Sequence, residues 1–435
     1  MNHKVLLVVL LCWAVSLTLT FHVGRNTQLF SFNPASYPAE EVHRVEVAGN
    51  SALRLRRLNP PVQMLVLTSW ADFTNRMDRF LYDLVDAGVE ADHVNLTVWG
   101  PGYVHWNETL SPRDNIDAFL GCENLDIVYT HLIHWGMTPC GGAVHVHELG
   151  DCHRHACRGE LNPNGNVTIS RYAFELPELF SYDYLTKQHE GFRMHLFAHN
   201  PDCAPSLGLD SEVPFDERPV DAYLIGAVSE FYPLRSAVRD AVEAGELPAV
   251  TRFTHPGYQL QGPDAPEVGP LGYRPGLTEP YMANIKHARE TYITALHRTK
   301  ICIFDSSVER KLIRKFAESM LAGCVPASDL PFELTQELKD VVIELDPTWS
   351  HAQLRHVLDQ HLQDPVELQR RSVRGKALAS TLLSCQSKLN RVLEAADRYL
   401  SGQRGYWFPF GYFRGCKKYW FWKDENEVTN MWCHK

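Results

Sequence analysis

The chain is predicted to be an α/β protein with two parallel-sheet domains, and three observations predict it. Its 435 residues exceed one ordinary domain. Short apolar runs alternate with amphipathic helical patterns in both halves, the alternation that a parallel sheet needs. Between the halves, His199 to Pro219 is rich in Pro and Asp and lacks periodicity, which marks a boundary. Composition agrees, since 45% apolar and 22% charged residues support a sizeable core. A formal charge of −10 argues against nucleic acid as the main partner.

Residues 1–24 form a membrane-directed segment. After Lys4, the run from Val5 to Phe21 carries no charge, and His22 and Arg25 follow it. Its 17 residues sit at the lower edge for spanning a bilayer and above the usual core of a cleaved signal peptide. Lys4 before the run and a long soluble part after it favour a type II signal anchor. The alternative is a cleaved signal peptide, for which Ser16 and Thr18 supply small residues. Both place the body in the secretory lumen. Three sequons, at Asn95, Asn107 and Asn166, fit that compartment, although Asn95 enters a predicted strand. Residues 25–61 lack periodicity and read as a stem.

Residues 62–200 read as the first domain. Val62 to Ser69 is a buried strand, and apolar positions from Phe73 to Val85 give an amphipathic helix that Gly88 should end. Val94 to Trp99 is a second strand, a helix near Asp114 to Leu120 follows, and Leu125 to Leu132 is a third strand. This spacing predicts a Rossmann-like sheet, but no G-x-G-x-x-G follows the first strand, so a bound dinucleotide is not expected. Cys140 to Cys157 gathers Cys140, His145, His147, Cys152, His153, His155 and Cys157. Zinc favours such ligands, yet the spacing fits no closed zinc knuckle, and an oxidising lumen favours disulfides. Phe192 to Ala198 is a further strand candidate.

After a linker at residues 201–219, residues 220–383 read as the second domain. Val220 to Val228 is its first strand, Gly226 permits close approach to the backbone, and Arg235 opens a helix. Lys300 to Leu330 is a strand–helix–strand unit. Ile301 to Phe304 is a buried strand. Ile313, Phe316, Ala317, Met320 and Leu321 form one helical stripe, Gly323 stops the helix, and Cys324 to Ala327 is the next strand. Open α/β sheets bind ligands at the carboxyl ends of their strands. There lie Ser306, Ser307, Glu309, Arg310, Lys311, Arg314, Lys315 and Glu318. Arg and Lys beside a helix N-terminus suit a diphosphate. The same residues also read blandly, with Ser306 to Glu309 as a capping box and Arg314 with Glu318 as a solvated i,i+4 pair. Cys302 and Cys324, on core strands, read as free thiols. Residues 384–435 hold a helix from Ser384 to Leu400 and an aromatic tail with ten aromatics between Tyr406 and Trp422.

FAESMLAGCVPASDLP, at Phe316 to Pro331, resembles the "E-A-M-A-x-G-x-P-V" segment of GT-B-fold glycosyltransferases. Val220 to Arg235 resembles the strand–glycine–loop–Arg opening of the C-terminal domain in their spore-maturation-like group, and Tyr292 to Ser307 that group's next helix and strand. The resemblance covers roughly Val220 to Leu383 well and the first half loosely. It implies two Rossmann-like domains facing a cleft, with the acceptor on the first and a nucleotide-sugar on the second. Glu318 would bind the donor ribose, while Gly226, Arg235, Ser306, Ser307, Arg310, Arg314 and Lys315 would surround the diphosphate. Asp126 to Gly136 resembles the "D-V-V-H-x-H" strand end of the acceptor domain. That makes His131 a candidate base or sugar ligand beside Glu318 in catalysis, with a satisfied structural histidine as the alternative. The pattern starts the helix before Glu318 near Leu312, whereas a capping box would start it near Ser307. Arg310 stands where many retaining members carry a second glutamate, so the stereochemical outcome does not carry over.

The expected activity is sugar transfer from a nucleotide-sugar to a luminal glycan, protein or lipid, with no resident cofactor and no metal. No Asp-x-Asp triplet occurs, and metal-dependent transferases of the other major fold usually carry one. The rival reading is a luminal binding protein that has lost catalysis, which Arg310 would fit. A hydrolase is the third, although no G-x-S-x-G elbow is present.

Overall fold

A computed structural model of the chain describes residues 61–69, 80–131, 140, 142–149, 165–171, 196–204, 213–253, 290–331 and 333–407. The membrane-directed segment, the stem up to residue 60, His134, Cys152 to Cys157, residues 254–289 and the aromatic tail past Trp407 lie outside them. Among the described residues no helix is long and apolar enough to cross a membrane.

Two parallel sheets form the body. The first has seven strands in the order β12-β6-β5-β4-β3-β1-β2. They are β1 (Val62–Leu67), β2 (Val94–Trp99), β3 (Ile127–His131), β4 (Val144–Glu148), β5 (Val167–Ser170), β6 (Leu196–His199) and β12 (Gly405–Trp407). Five of them, β1, β3, β4, β5 and β6, are buried almost throughout, as expected of strands covered on both faces. Helix α1 (Phe80–Glu90) packs beside β2. It runs past Gly88, against expectation, because the missing side chain makes room for Leu96: a Cβ there would lie 2.3 Å from Leu96 Cδ1. Helix α2 (Pro112–Phe119) begins where Ser111 caps it, its Oγ accepting from Asp114 N.

The second sheet has five strands, ordered β11-β10-β9-β7-β8. They are β7 (Val220–Leu224), β8 (Val250–Arg252), β9 (Thr299–Ile303), β10 (Val325–Ser328) and β11 (Ile343–Glu344). One face is covered by α4 (Arg314–Leu321) with part of α7 (Pro365–Leu382), the other by α3 (Pro233–Glu243) and α6 (His351–Leu362). A short α5 (Thr335–Lys339) precedes β11. Gly323 ends α4 in a left-handed conformation, φ 69°, with Arg218 filling the space beside it.

After α7 the helical run is interrupted at Ser384, where the sequence also starts its last helix. Its Oγ accepts from Ser387 N and opens a separate helix, α8 (Cys385–Leu400). The break changes partners: Ala379 and Leu383 belong to the second-sheet core, whereas Leu389, Val392, Ala395 and Ala396 belong to the first. The chain therefore returns to the first sheet and supplies its edge strand β12.

Three disulfides occur among the described residues. Cys122 pairs with Cys140, Cys203 with Cys385, and Cys302 with Cys324. The last corrects the free-thiol reading, because parallel pairing of β9 with β10 sets Pro326 opposite Cys302 and brings the two cysteines together. The first removes Cys140 from any zinc site in its own segment. His145 and His147 are buried in β4, and His147 Nδ1 shares a hydrogen bond with Thr130 Oγ1 at 2.9 Å.

Candidate active site

In each sheet the strand order reverses once, between β1 and β3 in the first and between β7 and β9 in the second. Such switch points open crevices at the carboxyl ends of the strands. The sequence-predicted residues fall at both.

At the second switch point the loop after β7 meets the loop after β9. Gly226, at φ 98°, leaves no room for a side chain: a Cβ would lie 2.7 Å from Arg235 Nη1 and 2.7 Å from Lys315 Cε. Arg235 is 2% exposed, buried in the first turn of α3. Its Nε lies 3.2 Å from Asp305 Oδ1, its Nη1 donates to Ala227 O at 2.8 Å, and its guanidinium stacks 3.7 Å over Tyr232. Arg235 thus clamps the two loops together. Burial raises the Asp305 pKa, while Arg235 opposes the rise.

No helix starts at Ser307. Residues 307–310 form turns, and Ser307 (φ 68°) and Arg310 (φ 50°) both hold left-handed backbone, a conformation that costs a non-glycine residue energy. Ser306 N donates to Asp329 Oδ1 at 2.7 Å, and Ser306 Oγ donates to Asp329 Oδ2 at 2.5 Å. Arg310 Nε donates to Leu330 O at 2.8 Å, so this side chain ties down the loop after β10. The helix begins later, at Arg314, with Ile313 as N-cap and no side-chain cap. That places Lys315 and Glu318 in its first turn and a half, with Lys315 beside Gly226.

Glu318 is held on both oxygens. Arg314 Nε donates to Oε1 at 2.8 Å, and the Tyr292 hydroxyl donates to Oε2 at 3.0 Å. The pair is not solvated as the bland reading had it, since the two side chains are 17% and 14% exposed. Arg314 also contacts Asp83 of α1, in the first-sheet domain. Burial disfavours its charge, but Asp83, Glu318 and Asp202 outweigh burial and raise its pKa well above the usual value.

At the first switch point His131 ends β3, and its Nδ1 lies 2.9 Å from Glu148 Oε2 at the end of β4. The Tyr129 hydroxyl donates to the same oxygen, and Lys388 of α8 donates to Oε1. Asp202 lies 3.6 Å from Lys388 and 3.6 Å from Arg171. Burial alone would raise the Glu148 pKa, but Lys388, His131 and Arg171 together carry it well below the carboxylate range. Burial lowers the His131 pKa, with Glu148 opposing. A neutral ring donating from Nδ1 to an ionised Glu148 leaves Nε2 as the basic nitrogen.

Sequence reasoning missed Asp83, Glu148, Asp202 and Lys388. Of the sequons, Asn107 is exposed, its Oδ1 accepting from Thr109 N and Oγ1. Asn95 donates to Gln63 Oε1 at 2.7 Å, and Asn166 donates to the Tyr399 hydroxyl at 2.9 Å while accepting from His145 N. Among the described residues no group of three or more His, Cys, Asp or Glu side chains is arranged to hold a metal ion.

No family model and no curated protein matches the chain. Solved structures do. An α-glucosyltransferase determined with UDP and a 13-mer DNA containing an HMU base is 8% identical, with a TM-score of 0.51 over 77% of this chain and 99% of that one. A glycosyltransferase from Rickettsia africae ESF-5 is 10% identical, with a TM-score of 0.50 over 79% of this chain and 100% of that one. At this identity the likeness concerns the fold. It is that of two parallel-sheet domains, consistent with GT-B.

Proposed function

We propose that this protein is a metal-independent glycosyltransferase that takes a sugar from a nucleotide-sugar donor and passes it to a luminal glycan, protein or lipid. The observation that carries this reading is the second switch point. There Lys315, in the first turn of α4, lies against the Gly226 loop, and three residues on, Glu318 has its two oxygens fixed by Arg314 and Tyr292. A diphosphate would lie against Gly226 and the first turn of α4, where Lys315 and the helix N-terminus offset its charge. Arg235, Ser306, Ser307 and Arg310 would serve by holding the loops in shape, and Glu318 would accept the ribose hydroxyls. On the acceptor side, His131 would take the acceptor proton or hold a sugar hydroxyl.

Several finer points belong to the same proposal. They are membership of the spore-maturation-like group, a Golgi or ER membrane location through a type II anchor, and the domain limits 62–200 and 220–383. Three disulfides support an oxidising compartment. One observation favours the second reading, a binding protein without turnover: the place of the outer glutamate is taken by Arg310, whose guanidinium is bonded to Leu330 O.

The test is thermal stabilisation of the soluble body by UDP and GDP in chelator. A ligand at about a hundred times its dissociation constant stabilises by roughly 2.7 kcal/mol. A shift that Glu318→Ala abolishes supports the donor site, and release of nucleoside diphosphate from a nucleotide-sugar then separates transferase from binding protein. No shift with either nucleotide sinks the reading.

A further inference from the structure

We infer that Asp83 is a positioning residue for the donor site: it sets Glu318 through Arg314, so that seating the two domains and aiming the donor carboxylate are one event. The inference rests on the donor-site reading for its ligand, but its geometry stands alone.

Asp83 lies on α1, the helix packed beside β2 of the first sheet, and its side chain is 0% exposed. Arg314 is the first residue of α4, over the second sheet. A guanidinium is a rigid planar fork, so its two arms cannot be aimed independently. One arm, Nη2, meets Asp83, while Nε donates to Glu318 Oε1 at 2.8 Å. Fixing Asp83 therefore fixes the plane of Arg314, and that plane fixes one oxygen of Glu318. Tyr292, 3.0 Å from the other oxygen, completes the hold from within the second domain. Three carboxylates, Asp83, Glu318 and Asp202, act on this single cation, and two of them lie in the first half of the chain. Sliding the first-sheet domain away would pull Arg314 off Glu318 or leave Asp83 buried beside no guanidinium.

The experiment uses the full chain carrying Asp83→Asn, which keeps the shape and removes the charge. Hydrogen–deuterium exchange of the α4 amides is read without nucleotide, and the dissociation constant for UDP is read beside it. We expect exchange in α4 at least tenfold faster and UDP affinity at least tenfold weaker. In the double variant Asp83→Asn/Arg314→Gln, UDP affinity should stay within twofold of Arg314→Gln alone. A folded Asp83→Asn chain with unchanged α4 exchange and UDP affinity within twofold of the parent overturns the inference. If the unaltered protein does not bind UDP, the donor-site reading fails, and the exchange comparison alone decides the positioning role. If Asp83→Asn does not fold, Arg314→Lys replaces it. That variant keeps the charge but has one point donor instead of a fork, and a UDP affinity within twofold of the parent would equally overturn the inference.

Discussion

The two switch points are built by opposite means. At the first, charges are buried and matched: Glu148 and Lys388 are each 1% exposed at the side chain, and His131, Tyr129, Asp202 and Arg171 enclose them. At the second, the backbone carries the tension. Ser307 and Arg310 hold left-handed conformations, and Arg235, Arg310 and Ser306 spend their side chains tying three loops together. A network of buried charges presets its electrostatics before any ligand arrives but tolerates no missing member. A strained, laced loop leaves backbone groups to meet a ligand and loses affinity before it loses the fold. The first region should therefore report damage as lost stability, the second as lost binding.

The largest effect is expected where the charges are most deeply buried. Lys388→Met leaves Glu148 without its cation and should cost about 3–5 kcal/mol in a denaturant melt. Combining it with Glu148→Gln should restore part of that loss, and a cost under about 1 kcal/mol would break the contrast. Acid should act on the same region. Burial and the charge of Arg391 hold the His199 pKa down to about 3, and burial lowers that of His131. Their folded values lie below the unfolded value of 6.5, so the unfolded chain takes up protons first as pH falls. Stability should be complete above that pH and decline below it by about 1.4 kcal/mol per unit for each histidine, with the His199 contribution ending near its folded value. A melting temperature flat from pH 7 to 5 would contradict this.

At the second region, Gly226→Ala forces a left-handed alanine against Lys315 and Arg235. It should cost about 1–2 kcal/mol in stability while lowering UDP affinity more than tenfold. Titration calorimetry of the folded variant reads the second number. Away from both regions, Ser350→Ala removes the capping box of α6. It should cost about 1 kcal/mol and leave UDP affinity unchanged, which calibrates the other comparisons.

What the sequence disclosed follows the same division. The strands β1, β2, β3, β7 and β9 and the helix α4 were legible because buried strands and amphipathic helices leave a period in the chain. The Gly226 loop and Glu318 could be singled out because each lies within a short motif of its own, Val220 to Arg235 and Phe316 to Pro331. The charge network was not, since its members are up to 240 positions apart. Asp83 reads as the wet face of an amphipathic helix, and Glu148 hides in a segment that histidines and cysteines dominate. Lys388 and Arg391 flank the apolar stripe of Leu389 and Val392, which reads as a solvated margin until the first sheet covers it.

The Cys203–Cys385 bond lies where the backbone leaves the first sheet and where it comes back, joined also by the Ala204–Ser384 bridge. Its two cysteines are 182 positions apart, so everything between them, including the entire second sheet, is a closed covalent loop with a single neck. A protease that cuts that loop once cannot release a fragment. The nicked protein should migrate as one species without reductant and as two with it, so the second-sheet lobe clipped in this way stays attached through a cleavage that would dismember an unstapled chain.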